Sequence, residues 1–227
     1  MTARNHTIQA LVFDFDGLIL DTETPIFQSW QEMYRAYGLE LPIERWVTNI
    51  GTAEEPFDPF TELERQSGRR LDQQEIAAVR MQRELELISE RAPLPGIVEY
   101  LQDAQGLGLK IGLATSSSCR WVTGHLERLG LIGYFHAIVA KDDVPRTKPD
   151  PTLYRAALER LGVRPEHAVA FEDSPNGILA ARRAGLFCVA VPNAMTRYLP
   201  IDHADLRLDS LAEVTLEALL DKIEKRQ

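Results

Sequence analysis

Cysteine is nearly missing from this 227-residue chain: there are two, Cys119 and Cys188, far apart and in no metal-ligand spacing. That excludes a disulfide framework and a thiolate cluster, so both are read as reduced structural residues. The histidines His6, His125, His136, His167 and His203 form no metal-ligand pattern either. Positive charge is in deficit, with 25 Lys and Arg against 34 Asp and Glu. The net charge of −9 argues against a nucleic-acid or anionic-membrane partner and leaves room for a local cationic pocket. No long apolar run opens the chain, since Met1 to Gln9 is polar; no secretion or membrane signal is read there, and the cytoplasm is the expected location. Internal repeats and low-complexity segments are lacking as well. What remains, 44% hydrophobic and 26% charged, is an ordinary globular composition, long enough for a large core or for one domain with a smaller one inserted.

The stretch Leu11-Val12-Phe13-Asp14-Phe15-Asp16-Gly17 stands out, an apolar run ending in two carboxylates and a glycine. The run suits a strand buried on both faces, and Gly17 supplies the backbone freedom to leave it abruptly. In an open parallel sheet that exit is where ligands bind, and a chain turning after Asp14 can bring both carboxylates towards one pocket.

From Thr22 to about Arg91 the apolar residues keep a helical rhythm, clearest in Ile26, Trp30, Met33, Tyr34 and Tyr37, with Gly38 as a stop. Further helices are predicted at Ile43 to Asn49, Pro59 to Gln66 and Asp72 to Glu90, together roughly 70 residues of all-helical insert. After Ala92-Pro93-Leu94-Pro95-Gly96 short apolar strands alternate with helices. Strands are predicted at Lys110 to Thr115, Ala137 to Ala140, Ala168 to Phe171 and Phe187 to Val191. Helices are predicted at Gly96 to Gln105, Ser118 to Leu129, Pro151 to Leu161, Pro175 to Ala184 and Glu213 to Glu224. This alternation implies an α/β fold with a parallel, Rossmann-like sheet, its first strand being the opening run. Residues 1–20 and 93–227 are expected to form that core and residues 21–92 a helical cap, hinged near Leu18 to Thr22 and Ala92 to Pro95.

Three further clusters fall at strand exits or helix starts. Ala114-Thr115-Ser116-Ser117-Ser118 puts hydroxyls at a helix N-terminus, which suits an anion site and equally a plain serine cap. Arg146-Thr147-Lys148-Pro149-Asp150 holds a lysine that can stand beside a phosphate or carboxylate, or simply be solvated. Phe171-Glu172-Asp173-Ser174-Pro175-Asn176-Gly177 is a second buried-type strand ending in paired acids, able to bind magnesium or to cap a helix dipole.

Taken together and in this order, the four clusters resemble the haloacid dehalogenase superfamily of aspartate-nucleophile hydrolases. The insert resembles its helical-cap branch, and Asp14-Phe15-Asp16-Gly17-Leu18-Ile19-Leu20-Asp21-Thr22-Glu23 resembles the β-phosphoglucomutase-like phosphatases. The match spans essentially the whole chain. The resemblance implies an aspartyl-phosphate on Asp14, with Asp16 as general acid and base. It implies a Mg²⁺ ion held by Asp14, the Asp16 carbonyl and Asp173, with Glu172 direct or through water. Thr115, Ser116, Ser117 and nearby amides would grip the phosphoryl group, and Lys148 would neutralise the remaining charge.

Within the superfamily, Asp16 favours phosphate over carbon–halogen cleavage, whose halide leaving group needs no acid. The insert contains no lysine, which speaks against the imine chemistry of a phosphonate-cleaving branch. The β-phosphoglucomutases carry a histidine, a lysine and an arginine where this chain has Ile26, Ile50 and Glu54, so a phosphatase using water is expected ahead of a mutase. A catalytically feeble protein that uses the same pocket to bind a phosphometabolite or a protein partner is the remaining alternative. Candidate contacts to the leaving group are Thr22, Glu23, Ile26, Trp30, Asn49-Ile50-Gly51-Thr52, Arg80 and Arg83. Trp30 and Trp46 are read first as packing, and Arg80 and Arg83 equally as a solvated face. The expected partner is a small-molecule phosphate ester, and the expected state a monomer or weak homo-oligomer.

Overall fold

The protein is described here through a computed structural model covering residues 7–47 and 57–226. Its central strand, β1 (Ala10–Phe13), is buried at every position. Leu11 and Phe13 point into one apolar cluster, Ala10 and Val12 into another. That period-two split, apolar on both sides, is what a strand between two helix layers requires.

The helical insert follows. It comprises α1 (Glu23–Ala36), α2 (Ile43–Trp46), α3 (Pro59–Ser67) and α4 (Gln73–Ser89) among the described residues. Asp58 and Asp72 cap α3 and α4 by accepting from backbone amides two and three residues on. The insert has its own apolar cluster, built on Phe27, Trp30, Tyr34, Leu41, Trp46, Leu63 and Ile76. Trp46 lies against Phe27 at a ring separation of 5.7 Å, and both Trp30 and Trp46 are buried, in keeping with packing. The two chain crossings touch each other: Leu20 bridges Pro93 in antiparallel fashion, and the Leu94 amide donates to the Ile19 carbonyl at 2.9 Å. Met195, from the second half of the chain, is also buried in the insert's cluster.

The second half builds the sheet. Helix α5 (Ile97–Gly106) leads to β2 (Lys110–Ala114), α6 (Cys119–Arg128) and β3 (Ala137–Val139). Then come α7 (Thr152–Leu161), β4 (Ala168–Glu172), α8 (Pro175–Arg183), β5 (Phe187–Ala190), β6 (Leu206–Arg207) and α9 (Leu216–Glu224). All pairings are parallel, in the order β3-β2-β1-β4-β5-β6. Residues of α5, α6 and α9 share one cluster and those of α7 and α8 the other, so the sheet is covered on both faces. Since every strand runs the same way, the exits of β1, β2, β4 and β5 lie side by side at one edge.

Two expectations need correction. The short β6 has only two residues and carries no periodic signal, which is why it was not predicted. The closing helix begins at Leu216, not Glu213: the Thr215 hydroxyl accepts from the Ala218 amide and fixes the start, while Leu211–Glu213 forms a separate 3₁₀ turn. The stretch predicted as helix from Ile43 to Asn49 is helical over Ile43–Trp46, and residues 48 and 49 lie outside the described chain. No helix of the described residues is long and apolar enough to cross a membrane.

Candidate active site

Asp14 leaves β1 still held to the sheet, its amide donating to the Phe171 carbonyl at 3.0 Å. The next turn needs Gly17, whose φ of +79° suits glycine and where a Cβ would overlap the Asp173 carboxylate. The result is a cavity of about 570 Å³ at the exits of β1, β2 and β4. Asp14, Asp16, Thr22, Glu23, Thr115, Ser116, Ser117, Lys148 and Asp173 all line it, as does Ile26. Glu172 does not; it is fully buried beneath the floor.

The floor is an ionic cluster. Lys148, which precedes Pro149 through a cis peptide, puts Nζ 2.6 Å from Asp14 Oδ1 and 2.7 Å from Glu172 Oε1. Tyr154 donates to that same Glu172 oxygen, and the Ser174 hydroxyl to the other. Oxygens of Asp14, Glu172 and Asp173 all lie within 4.8 Å of one another. Three carboxylates against one ammonium leave an excess of negative charge in a buried place, and the side chains respond. Burial and the Glu172 charge push Asp14 up to about 7, although Lys148 opposes them. Burial, Asp14 and Glu172 push Asp173 well above the carboxylate range. Against burial, the Asp14 and Glu172 charges hold Lys148 above its ordinary value. Hard oxygen donors crowded with uncompensated charge are what a small divalent cation satisfies, so this donor set fits a metal.

Above the floor, Asp16 accepts three hydrogen bonds. Thr22 Oγ1 and Trp121 Nε1 donate to Oδ1, each at 3.0 Å, and Ser117 Oγ donates to Oδ2 at 2.6 Å. Glu23, on the first turn of α1, is pushed up to about 7 by burial and by Asp16, Asp21 and Glu84. Thr115, almost wholly buried, accepts from the Ser117 amide at 3.0 Å.

Arg80 and Arg83 are not brought to the cavity. Arg80 pairs with Glu84 at 2.7 Å and lies over the Trp30 ring, and Arg83 pairs with Glu32 at 2.8 Å. Asn49, Ile50, Gly51, Thr52 and Glu54 lie outside the described residues. Three residues of the site escaped the sequence reading. Trp121 stands on the first turn of the helix that leaves the hydroxyl cluster, and that placement was its available signal. Asn193 follows the exit of β5 and donates from Nδ2 to Asp173 Oδ2 at 2.8 Å and to the Gly17 carbonyl at 2.9 Å. Tyr154, on α7, has a phenol reaching Glu172 that no local pattern marks.

A parallel α/β sheet with a nucleophile-like carboxylate, a lysine and a metal-competent acidic cluster at its carboxyl edge describes an enzyme, a hydrolase built on ionic chemistry. The profile of the haloacid dehalogenase-like hydrolases matches residues 11–191, and the chain belongs to that family. A Bacillus subtilis (strain 168) protein with a provisional phosphatase name, YhcW, is 47% identical over 95% of this chain and 98% of its own length. The β-phosphoglucomutase of the same organism is 31% identical over 96% of each chain. The crystal structure of CbbY from Rhodobacter sphaeroides in complex with phosphate superposes with a TM-score of 0.69 and 32% identity, over 94% of this chain and 99% of that one.

Proposed function

We propose that the protein is a magnesium-dependent phosphomonoesterase acting on a small phosphorylated metabolite in the cytoplasm, as a monomer or weak homo-oligomer. The observation that carries this reading is the Asp14–Lys148 contact of 2.6 Å at the floor of a cavity that also holds Asp16 and Asp173. A carboxylate facing a buried ammonium is poised as a nucleophile at a phosphoryl group whose charge that cation can share. The relatives' names, a phosphatase and a sugar-phosphate mutase, point to the same class of ester.

In this reading an oxygen of Asp14 attacks phosphorus while the bond to the leaving oxygen breaks. The departing electron pair stays on that oxygen, which takes a proton from Asp16. Water then attacks the aspartyl-phosphate, Asp16 accepts the water's proton, and Asp14 departs as a free carboxylate with phosphate released. Lys148 balances the charge at the Asp14 side throughout. Thr115, Ser116 and Ser117 hold phosphoryl oxygens. Asp14, the Asp16 carbonyl and Asp173 would hold Mg²⁺, with Glu172 contributing through water because Lys148, Tyr154 and Ser174 already engage its oxygens. When bound, the ion neutralises repulsion between nucleophile and phosphate. Residues 21–92 act as a cap over the leaving group, with Thr22, Glu23 and Ile26 facing it.

Water as acceptor is favoured over a second phosphate ester because Ile26, an apolar residue, lines the cavity where the resemblance sets a mutase histidine. The test is release of phosphate from p-nitrophenyl phosphate with and without Mg²⁺. Activity should require the ion, and Asp14→Asn should abolish it in a folded protein. Phosphate release without conversion of β-glucose 1-phosphate to glucose 6-phosphate supports the phosphatase; efficient conversion overturns it.

A further inference from the structure

One wall of the cavity is an indole. Trp121 lines it from the first turn of α6, with its ring set edge-on to His125 at 4.4 Å and its amide donating to the Ser118 hydroxyl. That seating aims Nε1–H at Asp16 Oδ1, 3.0 Å away. The other donors to Asp16 are hydroxyls, Thr22 on Oδ1 and Ser117 on Oδ2. The difference matters. A hydroxyl can rotate and become an acceptor, whereas an indole N–H can only donate. An oxygen that faces Trp121 therefore stays an acceptor whatever the state of the carboxyl, while Oδ2 can carry a proton if Ser117 turns to receive it or yields to the substrate.

We infer that Trp121 is a positioning residue for proton transfer: it pins Asp16 Oδ1 as a permanent acceptor and thereby assigns the transferable proton to Oδ2. The inference rests on the phosphomonoesterase reading and specifies how its acid is oriented. In the first step Asp14 forms the bond to phosphorus, the bond to the leaving oxygen breaks with its electron pair, and the Oδ2 proton passes to that oxygen. Asp16 is left as a carboxylate with Oδ1 still held by the indole. Without the indole N–H, the proton can sit on either oxygen and the carboxyl can rotate, so acid delivery to the leaving group fails in part.

Protonation matters most for a poor leaving group, and this gives a test that a merely structural role would not move. Trp121→Phe keeps an aromatic ring and removes the donor. The quantity to measure is the ratio of kcat/KM for p-nitrophenyl phosphate to that for phenyl phosphate, in wild type and variant, with Mg²⁺. kcat/KM reports the first transfer step, and the ratio is independent of the fraction of folded enzyme. The ratio is expected to rise about tenfold in Trp121→Phe, because loss of an oriented acid penalises the phenolate more than the nitrophenolate. A ratio unchanged from wild type, whether or not both rates fall together, overturns the assignment of Trp121 and leaves the phosphatase reading standing. A wild-type protein that hydrolyses neither ester overturns both.

Discussion

Among the described residues Lys148 is the ammonium that meets both Asp14 and Glu172, and its side chain is only 6% exposed. Asp14 and Glu172 are buried as well, so solvent screens its charge against theirs only weakly. Lys148→Met keeps much of the volume and removes the cation, leaving three carboxylates to repel one another and the incoming phosphate. Turnover of p-nitrophenyl phosphate at saturating Mg²⁺ is expected to fall by about 100-fold or more, a magnitude typical of losing one preorganised charge partner. A fall of less than about threefold would remove Lys148 from the mechanism. The lysine was legible in the sequence through its place between a polar loop and a proline-led helix. Its partner Tyr154 was not, since a tyrosine on a helix with an apolar face reads as core until its hydroxyl is seen to meet Glu172.

At the scale of elements, strand exits carried the information. The apolar runs of β1, β2 and β4 ended in the residues that line or underlie the cavity, so those candidates could be named without coordinates. The exit of β5 could not be read the same way, because Val191-Pro192-Asn193 offers one amide and no charge. Yet Asn193 is tied four ways: its Nδ2 reaches Asp173 and Gly17, and its Oδ1 accepts from the Met195 and Thr196 amides. It fixes one oxygen of Asp173 and leaves the other available. Asn193→Ala should weaken Mg²⁺ binding about tenfold, the usual cost of losing a partner that orients a metal ligand. The check is the rise in thermal midpoint across a Mg²⁺ titration; an unshifted titration would show that Asp173 needs no such support. Helix starts differed from expectation, by one residue at Asp72 and by three at Thr215, because caps set them.

For the whole molecule, the acidic cluster links stability to pH. Asp14 ionises near its ordinary value of 3.8 in the unfolded chain and at about 7 in the folded one. Between those values the folded state binds more protons, so without metal its stability falls as pH rises from about 4 to about 7. Asp14→Asn removes that contribution. Urea unfolding of metal-free wild type and Asp14→Asn should therefore coincide near pH 4 and separate above it, with the variant the more stable at pH 8. Parallel curves would show that Asp14 does not titrate as its surroundings imply. Mg²⁺ should restore the wild type most at the alkaline end.

Gly177 lies on the first turn of α8, where a Cβ would run into the Glu172 carboxylate. The two positions thus share one volume, and neither can be judged alone. Any side chain at 177 requires the Glu172 carboxylate to move, and a displaced carboxylate gives up its contacts to Lys148 and Tyr154. A substitution at 177 is therefore felt at the catalytic floor without touching it: a methyl group on the outer helix displaces the carboxylate that anchors Lys148 from below.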